Sequence, residues 1–220
     1  MKNIALNGKL ACGKSEQARQ LYQELGYSIL SIGTMIKKVT NLLIEDPKEW
    51  KTYLETMIDK EQAVNTLYQE VQNEFYHTYQ KEKFEKTTDG LYIKNDSYRE
   101  LAQYIATSFR DVLGEDIWVT FIAKEAEMLA KNGQKVVCDD LRFPSEKRIF
   151  EQFGFATIRL DVSEYVQKQR ISKRGDGTIN EKQLTHISET ALDNATFDLR
   201  IDTDDLSIDE IKTIIFSFVR

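Results

Sequence analysis

The feature that most constrains this chain is a G-x-x-x-x-G-K-S pattern near its amino terminus, formed by Gly8, Gly13, Lys14 and Ser15. The pattern follows a short apolar run, residues 2–7, and precedes a segment with apolar residues at helical spacing. Glycines at these positions permit a tight turn that points successive backbone N–H groups inward, and the next helix adds the positive end of its dipole. The pattern therefore predicts a strand, a phosphate-binding loop and a helix, in that order.

Two side chains of this loop have predicted roles with a nucleotide. Lys14 reaches the β- and γ-phosphates and the Ser15 hydroxyl binds Mg²⁺, so ATP and Mg²⁺ are the expected cofactors. Cys12 is expected to be a small filler without chemistry of its own. The loop residues expected to contact the nucleotide are Gly8, Ala11, Cys12, Gly13, Lys14, Ser15 and Glu16.

The length and charge of the chain narrow the classes of protein to which it can belong. With 220 residues it can bury one substantial core, so one domain with inserted segments is expected rather than two independent domains. The net charge of −6 lacks the basic field of a protein that binds duplex nucleic acid, so the expected partners are small nucleotides. Whether two copies form a homodimer is left open.

Neither a disulfide framework nor a membrane span is expected. The cysteines are Cys12 and Cys138, and no run in the sequence approaches about 18 apolar residues. The chain starts in a strand-like run without a signal peptide, which predicts a cytoplasmic location.

Strand-like and helical segments alternate along most of the chain. This alternation predicts an α/β fold with a mostly parallel sheet. The predicted strands are residues 2–7, 27–31, 135–140, 156–162 and 197–202. The predicted helices are residues 14–25, 99–113, 118–131, 145–152 and 163–174, with a last helix from Ser207. Residues 35–84 have a helical and charged composition, and residues 87–96 are expected to form a loop or small hairpin.

One predicted helix carries a polar stripe. At about 100° per residue, four polar residues fall within an arc of about 80°, and the apolar residues point broadly the other way: Arg99, Gln103, Thr107 and Arg110. An arginine fork suits a phosphate and an amide can contact a base edge, so Arg99, Gln103 and Arg110 are predicted to bind a substrate. A solvated helix face is the alternative.

Two carboxylates end the most apolar strand, in the run KVVCDD at residues 135–140. Ligands of α/β folds bind at the carboxyl ends of strands, so Asp139 and Asp140 stand where a nucleotide is expected. One of them can hold Mg²⁺ or accept a proton during phosphoryl transfer. Because side chains of a strand alternate between its faces, only one is expected to reach the phosphates. A cap for the helix after Pro144 is the alternative.

The segment LSIGTMIKKV, residues 30–39, resembles the turn and helix start that line the acceptor site of adenylate kinase and related nucleoside monophosphate kinases. Those enzymes usually have Asp where Thr34 stands and Arg where Lys37 stands. The resemblance implies that Thr34 and Lys37 contact an acceptor. A solvated helix charge is the alternative for Lys37.

Four motifs, taken as a set, resemble the deoxynucleoside monophosphate kinases encoded by bacteriophages. They are GKLACGKS, the R-x-x-x-Q helix that leads to Trp118, DDLRFPSE, and HISE at residues 186–189. The resemblance implies ATP and Mg²⁺ binding by Lys14 and Ser15, and acceptor binding by the polar stripe. It also implies that Asp140 acts with Arg142 at the catalytic end of a strand, because the aspartate two positions before the arginine is the one that matches.

A basic run, residues 165–177, fits the lid of such kinases. A lid excludes water from the transfer, and its arginines neutralise charge on the moving phosphoryl group. Arg170 and Arg174 are the lid candidates, with Lys173 a lesser one, and a solvated helix end is the alternative. The HISE segment has no derived role, and the isolated His186 does not predict a zinc site.

The resemblance implies one P-loop kinase domain. Its core would be residues 1–34, 99–162 and 191–220, with an acceptor-binding insertion near 35–98 and a lid near 163–190. The implied reaction transfers the γ-phosphoryl group of ATP to a deoxynucleoside 5′-monophosphate, giving ADP and the diphosphate in a host cytoplasm. Two alternatives stay open: a kinase for another small phosphate or for a modified base in DNA, and a nucleotide-binding switch or ATPase module.

Overall fold

The computed structural model describes residues 1–79, 81–174 and 186–220. The chain forms two compact units. The first, called here the sheet unit, comprises residues 1–31 and 122–220, and the second, the helical unit, comprises residues 32–121. In the described part of the chain, no helix is long and apolar enough to cross a membrane.

The sheet unit contains five parallel strands in the order β2-β3-β1-β4-β5. Their bounds are β1 Ile4–Gly8, β2 Ser28–Leu30, β3 Val136–Cys138, β4 Ala156–Asp161 and β5 Leu199–Asp202. β1 lies at the centre of the sheet, where Ile4 pairs with Val137 on one side and with Ala156 on the other. Because the strands are parallel, their carboxyl ends meet at one edge of the sheet, where α/β folds bind ligands.

Helices precede or follow each strand. Their bounds are α1 Lys14–Leu25, α2 Ile32–Glu45, α3 Pro47–Met57, α4 Glu61–Glu74, α5 Asp96–Leu113, α6 Ile117–Ala130, α7 Pro144–Gln152, α8 Glu164–Arg174, α9 Ile187–Thr190 and α10 Ile208–Val219. α1 has the predicted bounds and ends at Gly26, whose φ of 70° suits a left-handed cap. The sheet, its helices and the glycine-rich loop between β1 and α1 form an α/β P-loop NTPase fold, which confirms the predicted fold class.

The core of the sheet unit fixes the strand that precedes the glycine-rich loop. Ile4 and Leu6 of β1 and Ile158 of β4 are fully buried. The same apolar cluster includes Leu21 of α1 and Ile215 of α10. Burial of such a side chain contributes about 1.5–3 kcal/mol relative to leaving it exposed. The loop after β1 therefore starts from a well-packed strand.

The helical unit contains α2 to α5, the start of α6 and one π-helical turn, Phe75–Tyr79. Its core includes Phe109, whose ring stacks on that of Trp118 with centroids 4.9 Å apart. The Trp118 indole N–H donates to the Ala106 carbonyl at 3.2 Å. An antiparallel bridge pairs Lys86 with Tyr92, as expected for a small hairpin in this region.

Helix α5 begins three residues before its predicted start. The Asn95 carboxamide oxygen accepts the Tyr98 backbone N–H at 2.9 Å, so Asn95 is the N-cap and Asp96 the first helical residue. α5 packs against α2 and α4. The helical unit therefore includes α5 and extends to residue 121, and the acceptor-binding insertion of residues 35–98 stays a prediction.

Candidate active site

The glycine-rich loop adopts a turn that few residues other than glycine permit. Gly8 has a φ of 147°, and a Cβ at this position would lie 2.4 Å from the Leu160 carbonyl oxygen. Gly13 has a φ of 103° and immediately precedes α1. The first backbone N–H groups of α1 have no acceptor within the helix, as at any helix start. The loop is therefore built to present N–H donors to an anion.

The Lys14 ammonium group lies inside the loop. Its Nζ donates to the Gly8 carbonyl oxygen, and to the Lys9 carbonyl oxygen at 3.1 Å. The Lys14 residue is only 7 % exposed, and its Nζ lies 3.6 Å from the Cys12 sulfur. Cys12 itself is buried, as expected for a filler. Main-chain oxygens thus hold the lysine charge within the turn.

A cavity of about 280 Å³ opens beside the loop and is called here the phosphate cavity. Its walls include Gly13, Lys14 and Ser15 from the loop and Asp139, Asp140 and Arg142 from the segment after β3. This volume lies just below the usual range for ligand pockets, about 300–1,000 Å³. It suits a group of phosphates rather than a whole nucleotide.

Both aspartates after β3 line the phosphate cavity, so strand alternation does not separate them there, and which of them reaches the phosphates stays a prediction. β3 ends at Cys138, and Asp139 and Asp140 belong to the irregular segment that follows. The alternation of side chains between two faces holds only within a strand. The two aspartates differ instead in their partners, because Asp140 Oδ1 accepts a hydrogen bond from Arg142 Nε at 2.9 Å.

The oxygen donors of the phosphate cavity fit a magnesium ion. Mg²⁺ is usually held by one or two carboxylates together with substrate phosphates and water. The Ser15 hydroxyl and the carboxylates of Asp139 and Asp140 supply ligands of that kind. Within the described ranges, no group of three or more His, Cys, Asp or Glu side chains forms an all-protein metal cage.

Arg142 is held by two carboxylates. Its Nε pairs with Asp140 and its Nη1 with Glu189. Burial disfavours the charged guanidinium, but the hydrogen bonds and charges of Asp140 and Glu189 outweigh burial and raise the pKa of Arg142. The Glu146 carboxylate accepts the Arg142 backbone N–H at 2.7 Å, which fixes the main chain at the start of α7. Arg142 is therefore a permanent cation in a fixed position.

A second cavity, of about 470 Å³, also adjoins the glycine-rich loop and is called here the apolar cavity. It is lined by Gly13 and Gln17 and by the segment from Leu206 to Ile208, with Arg170 and Lys173 of α8. The Gln17 side-chain amide donates to the Ile208 carbonyl at 3.0 Å, which ties α1 to the start of α10.

The lid candidates are only partly described. Arg170 Nη1 donates to the Thr203 hydroxyl at 3.0 Å, and Arg170 lines the apolar cavity rather than the phosphate cavity. The Arg174 side chain and residues 175–185 lie outside the described residues. Glu16 also lines the apolar cavity, and its hydrogen bonds to Arg19 and Gln20 lower its pKa.

The helical unit has a cavity of its own, of about 310 Å³, called here the cationic cavity. It is lined by Lys37 of α2, Lys94 before α5, and Arg99 and Gln103 of α5, with the Tyr98 ring. Burial and the adjacent positive charge of Lys94, which lies within hydrogen-bonding reach, lower the pKa of Lys37. No acidic side chain is among the described residues that line this cavity.

Some of the predicted acceptor residues line the cationic cavity and others do not. Lys37, Arg99 and Gln103 line it, but Thr34 and Arg110 do not. Arg110 lies eleven residues after Arg99, about 16 Å along the helix, and its Nε is 3.8 Å from Glu115. Lys94 is a lining residue that sequence reasoning missed, because it lies far from Lys37 in the sequence and outside the predicted helices.

Comparisons with known proteins add little to this description. No family model and no curated protein sequence matches the chain. Among solved structures, the chain is similar to dephospho-CoA kinase from Campylobacter jejuni, with a TM-score of 0.45 and 14 % identity over 99 % of this chain and 95 % of that chain. The fold assignment rests on the parallel sheet and on the loop between β1 and α1, not on this similarity.

Proposed function

We propose that this chain is a P-loop kinase that transfers the γ-phosphoryl group of ATP to a deoxynucleoside 5′-monophosphate, giving ADP and the diphosphate. The observation that carries the proposal is the presence of two cavities suited to anions. The phosphate cavity has a lysine, an arginine and magnesium-type oxygen donors, and the cationic cavity has three cations and an amide. A nucleotide-binding switch or ATPase needs only the first.

The donor nucleotide would bind along the glycine-rich loop. Its phosphates would accept hydrogen bonds from the backbone N–H groups at the start of α1 and from Lys14. Ser15 and Asp140 would hold Mg²⁺, which supplies charge neutralisation between the phosphates when it is bound. The base of ATP would occupy the apolar cavity, whose walls suit a flat heterocycle and adjoin the same loop at Gly13.

The acceptor would bind in the cationic cavity of the helical unit. A phosphate monoester dianion would pair with Lys37, Lys94 and Arg99, which have no carboxylate beside them in the cavity lining. Gln103 carries both a donor and an acceptor and can contact a base edge, and the Tyr98 ring offers an apolar wall.

The transfer itself needs positioning and charge neutralisation more than covalent chemistry. An oxygen of the acceptor phosphate would form a bond to the γ-phosphorus, while the bond from that phosphorus to the bridging oxygen breaks and ADP leaves with its electron pair. Lys14 and Arg142 would stabilise the charge that moves onto the bridging and equatorial oxygens.

A phosphoryl-transfer screen tests this proposal. Purified protein with ATP and Mg²⁺ would be incubated with each common and modified deoxynucleoside monophosphate, with other small phosphates, and with DNA that carries modified bases. The expected result is one diphosphate formed for each ADP, with the unphosphorylated deoxynucleosides and the Lys14→Ala protein as inactive controls. ADP formation that is independent of any acceptor would instead indicate a switch or ATPase, and transfer only to DNA would indicate a base kinase.

A further inference from the structure

The carboxylate of Glu189 joins two walls of the phosphate cavity. Glu189 lies in α9, and its Oε2 accepts the Leu10 backbone N–H at 2.6 Å. Its other oxygen, Oε1, accepts a hydrogen bond from Arg142 Nη1. Leu10 and Arg142 both line the phosphate cavity, and the Glu189 side chain is 8 % exposed. One buried carboxylate therefore holds the glycine-rich loop and the segment after β3 at the same time.

Leu10 is held from a second direction. Its carbonyl oxygen accepts a hydrogen bond from the Gln167 side-chain amide at 2.9 Å. Gln167 belongs to α8 and is only 4 % exposed. Both main-chain polar groups of Leu10 are thus engaged by side chains outside the loop. The Leu10 N–H is therefore not available to a phosphate, and Leu10 is the loop residue to which side chains of α8 and α9 bind.

Charge neutralisation of Arg142 does not by itself account for Glu189. Asp140 already pairs with the Arg142 guanidinium at 2.9 Å, and a buried carboxylate is costly to desolvate. What the second carboxylate adds is the link to the Leu10 N–H. A charge-assisted hydrogen bond of this kind fixes direction as well as distance.

We propose that Glu189 is a positioning residue, which sets Arg142 at a fixed place relative to the glycine-rich loop. The inference rests on the proposed function, because it assigns Glu189 to the same phosphoryl transfer. Arg142 acts on the moving phosphoryl group, and Glu189 acts through Arg142 and Leu10 without contacting the nucleotide. A displacement of about 1 Å in a positioned group can cost about 10²-fold in rate.

The first test is kinetic. Glu189→Gln keeps an oxygen that can accept the Leu10 N–H but removes the charge that holds Arg142, and Glu189→Ala removes both contacts. Turnover is expected to fall about 10-fold in Glu189→Gln and about 10²-fold in Glu189→Ala, while the KM for ATP changes less than about threefold. Glu24→Gln, which breaks a surface pair with Lys212, is the matched control and should retain wild-type turnover.

A double-mutant cycle separates positioning from general stability. If Glu189 acts through Arg142, adding Glu189→Ala to Arg142→Ala should reduce turnover less than twofold further. A purely structural Glu189 would lower turnover by the same factor in both backgrounds, and that result would overturn the proposal. So would wild-type turnover in folded Glu189→Ala protein.

The second test does not depend on kinase activity. Hydrogen exchange of the Leu10 amide should be slow in the wild-type protein, faster in Glu189→Ala and intermediate in Glu189→Gln, with the amides of β1 unchanged. Unchanged exchange at Leu10 in Glu189→Ala would contradict the link. If the transfer screen found no kinase activity, the proposed function would fail, and the exchange result would still decide whether Glu189 positions the loop.

Discussion

The phosphate cavity and the cationic cavity differ in how their lysine and arginine side chains are paired within the protein. In the phosphate cavity, main-chain carbonyls hold Lys14, and Asp140 and Glu189 hold Arg142. In the cationic cavity, Lys37 lies beside another lysine, and Arg99 has a long contact of 3.7 Å with Asp96, an exposed carboxylate outside the cavity lining.

This difference separates two tasks that a phosphoryl transferase has to perform. Cations already paired within the protein stay in place and can stabilise charge that develops during the reaction without reorganisation. Cations that have no carboxylate partner, or only a long contact with a solvent-exposed one, gain most from an incoming anion, so they contribute to affinity. Changes in the phosphate cavity should therefore lower turnover, and changes in the cationic cavity should weaken acceptor binding.

The largest effect is expected from Lys14→Ala. Removal of the amine takes away a positioned charge at the transferring phosphoryl group and should lower turnover by about 10²–10³-fold. The fold should persist, since the hydrogen bonds of the amine to described residues go to two carbonyls and the Cys12 sulfur within the loop itself. Steady-state transfer assays measure the effect, and Lys212→Ala, which removes a surface lysine, is the control. Near-normal transfer by folded Lys14→Ala would remove the premise of a P-loop kinase.

The next effect distinguishes the two aspartates of the phosphate cavity. Asp140→Asn should lower the transfer rate about 10²-fold. Asp140 is both the proposed magnesium ligand and the partner of Arg142, and the substitution removes the charge that both roles need. Asp139→Asn should affect mainly stability or local hydrogen bonding. Single-turnover rates at saturating ATP and Mg²⁺ measure both variants. A larger loss in the Asp139 variant would reverse the assignment of roles.

Substitutions of two arginines of α5 test which part of this helix binds the acceptor. Arg99→Ala should weaken acceptor binding by about 10-fold with little change in ATP binding, since it loses one charge-assisted contact. Arg110→Ala should weaken acceptor binding less, because Arg110 does not line the cavity. Calorimetric titrations of both folded variants give the comparison. Equal losses for the two arginines would place the acceptor along the whole stripe instead.

The smallest effect is a pH dependence of acceptor affinity. Burial and the charge of Lys94 lower the pKa of Lys37, so Lys37 loses its proton at a lower pH than an ordinary lysine, whose pKa is about 10.4. The charged form attracts the phosphate, and affinity should therefore fall a few-fold as pH rises above neutrality toward that value. Arg99 and Lys94 also line this cavity. Lys37→Arg should flatten the decline, and an identical decline in that variant would exclude Lys37 as its cause.

Local sequence signals were sufficient for the fold and for the glycine-rich loop. The bounds of α1 follow from the loop at one end and Gly26 at the other, and the parallel sheet follows from alternation of strands and helices. These features depend on residues close together in the chain. Helical spacing also predicted Arg99 and Gln103 as acceptor candidates, and the resemblance of residues 30–39 to nucleoside monophosphate kinases added Lys37. All three residues line one cavity.

Sequence reasoning failed where a contact joins distant segments or where a regular element ends early. Glu189 reaches Leu10 across 179 positions, and no local pattern indicates that contact. Lys94 likewise lies beside Lys37 although the two lysines are far apart in the sequence. Asp139 and Asp140 line the same cavity because β3 ends at Cys138, two residues before the predicted end of the strand, so neither aspartate belongs to it.

The central claim is that ATP binds at the phosphate cavity and the acceptor at the cationic cavity. It can be tested by measuring the binding of both ligands to one variant of each cavity. Lys14→Ala should bind a deoxynucleoside monophosphate with wild-type affinity and bind ATP weakly, since only the phosphate cavity has changed. Lys94→Ala should bind ATP normally and lose about 10-fold in affinity for the monophosphate, with Lys48→Ala as an exposed control in the same unit. Calorimetry on the four pairs of ligand and variant gives the answer directly. Loss of monophosphate binding in Lys14→Ala, or of ATP binding in Lys94→Ala, would contradict the assignment of donor and acceptor to separate cavities.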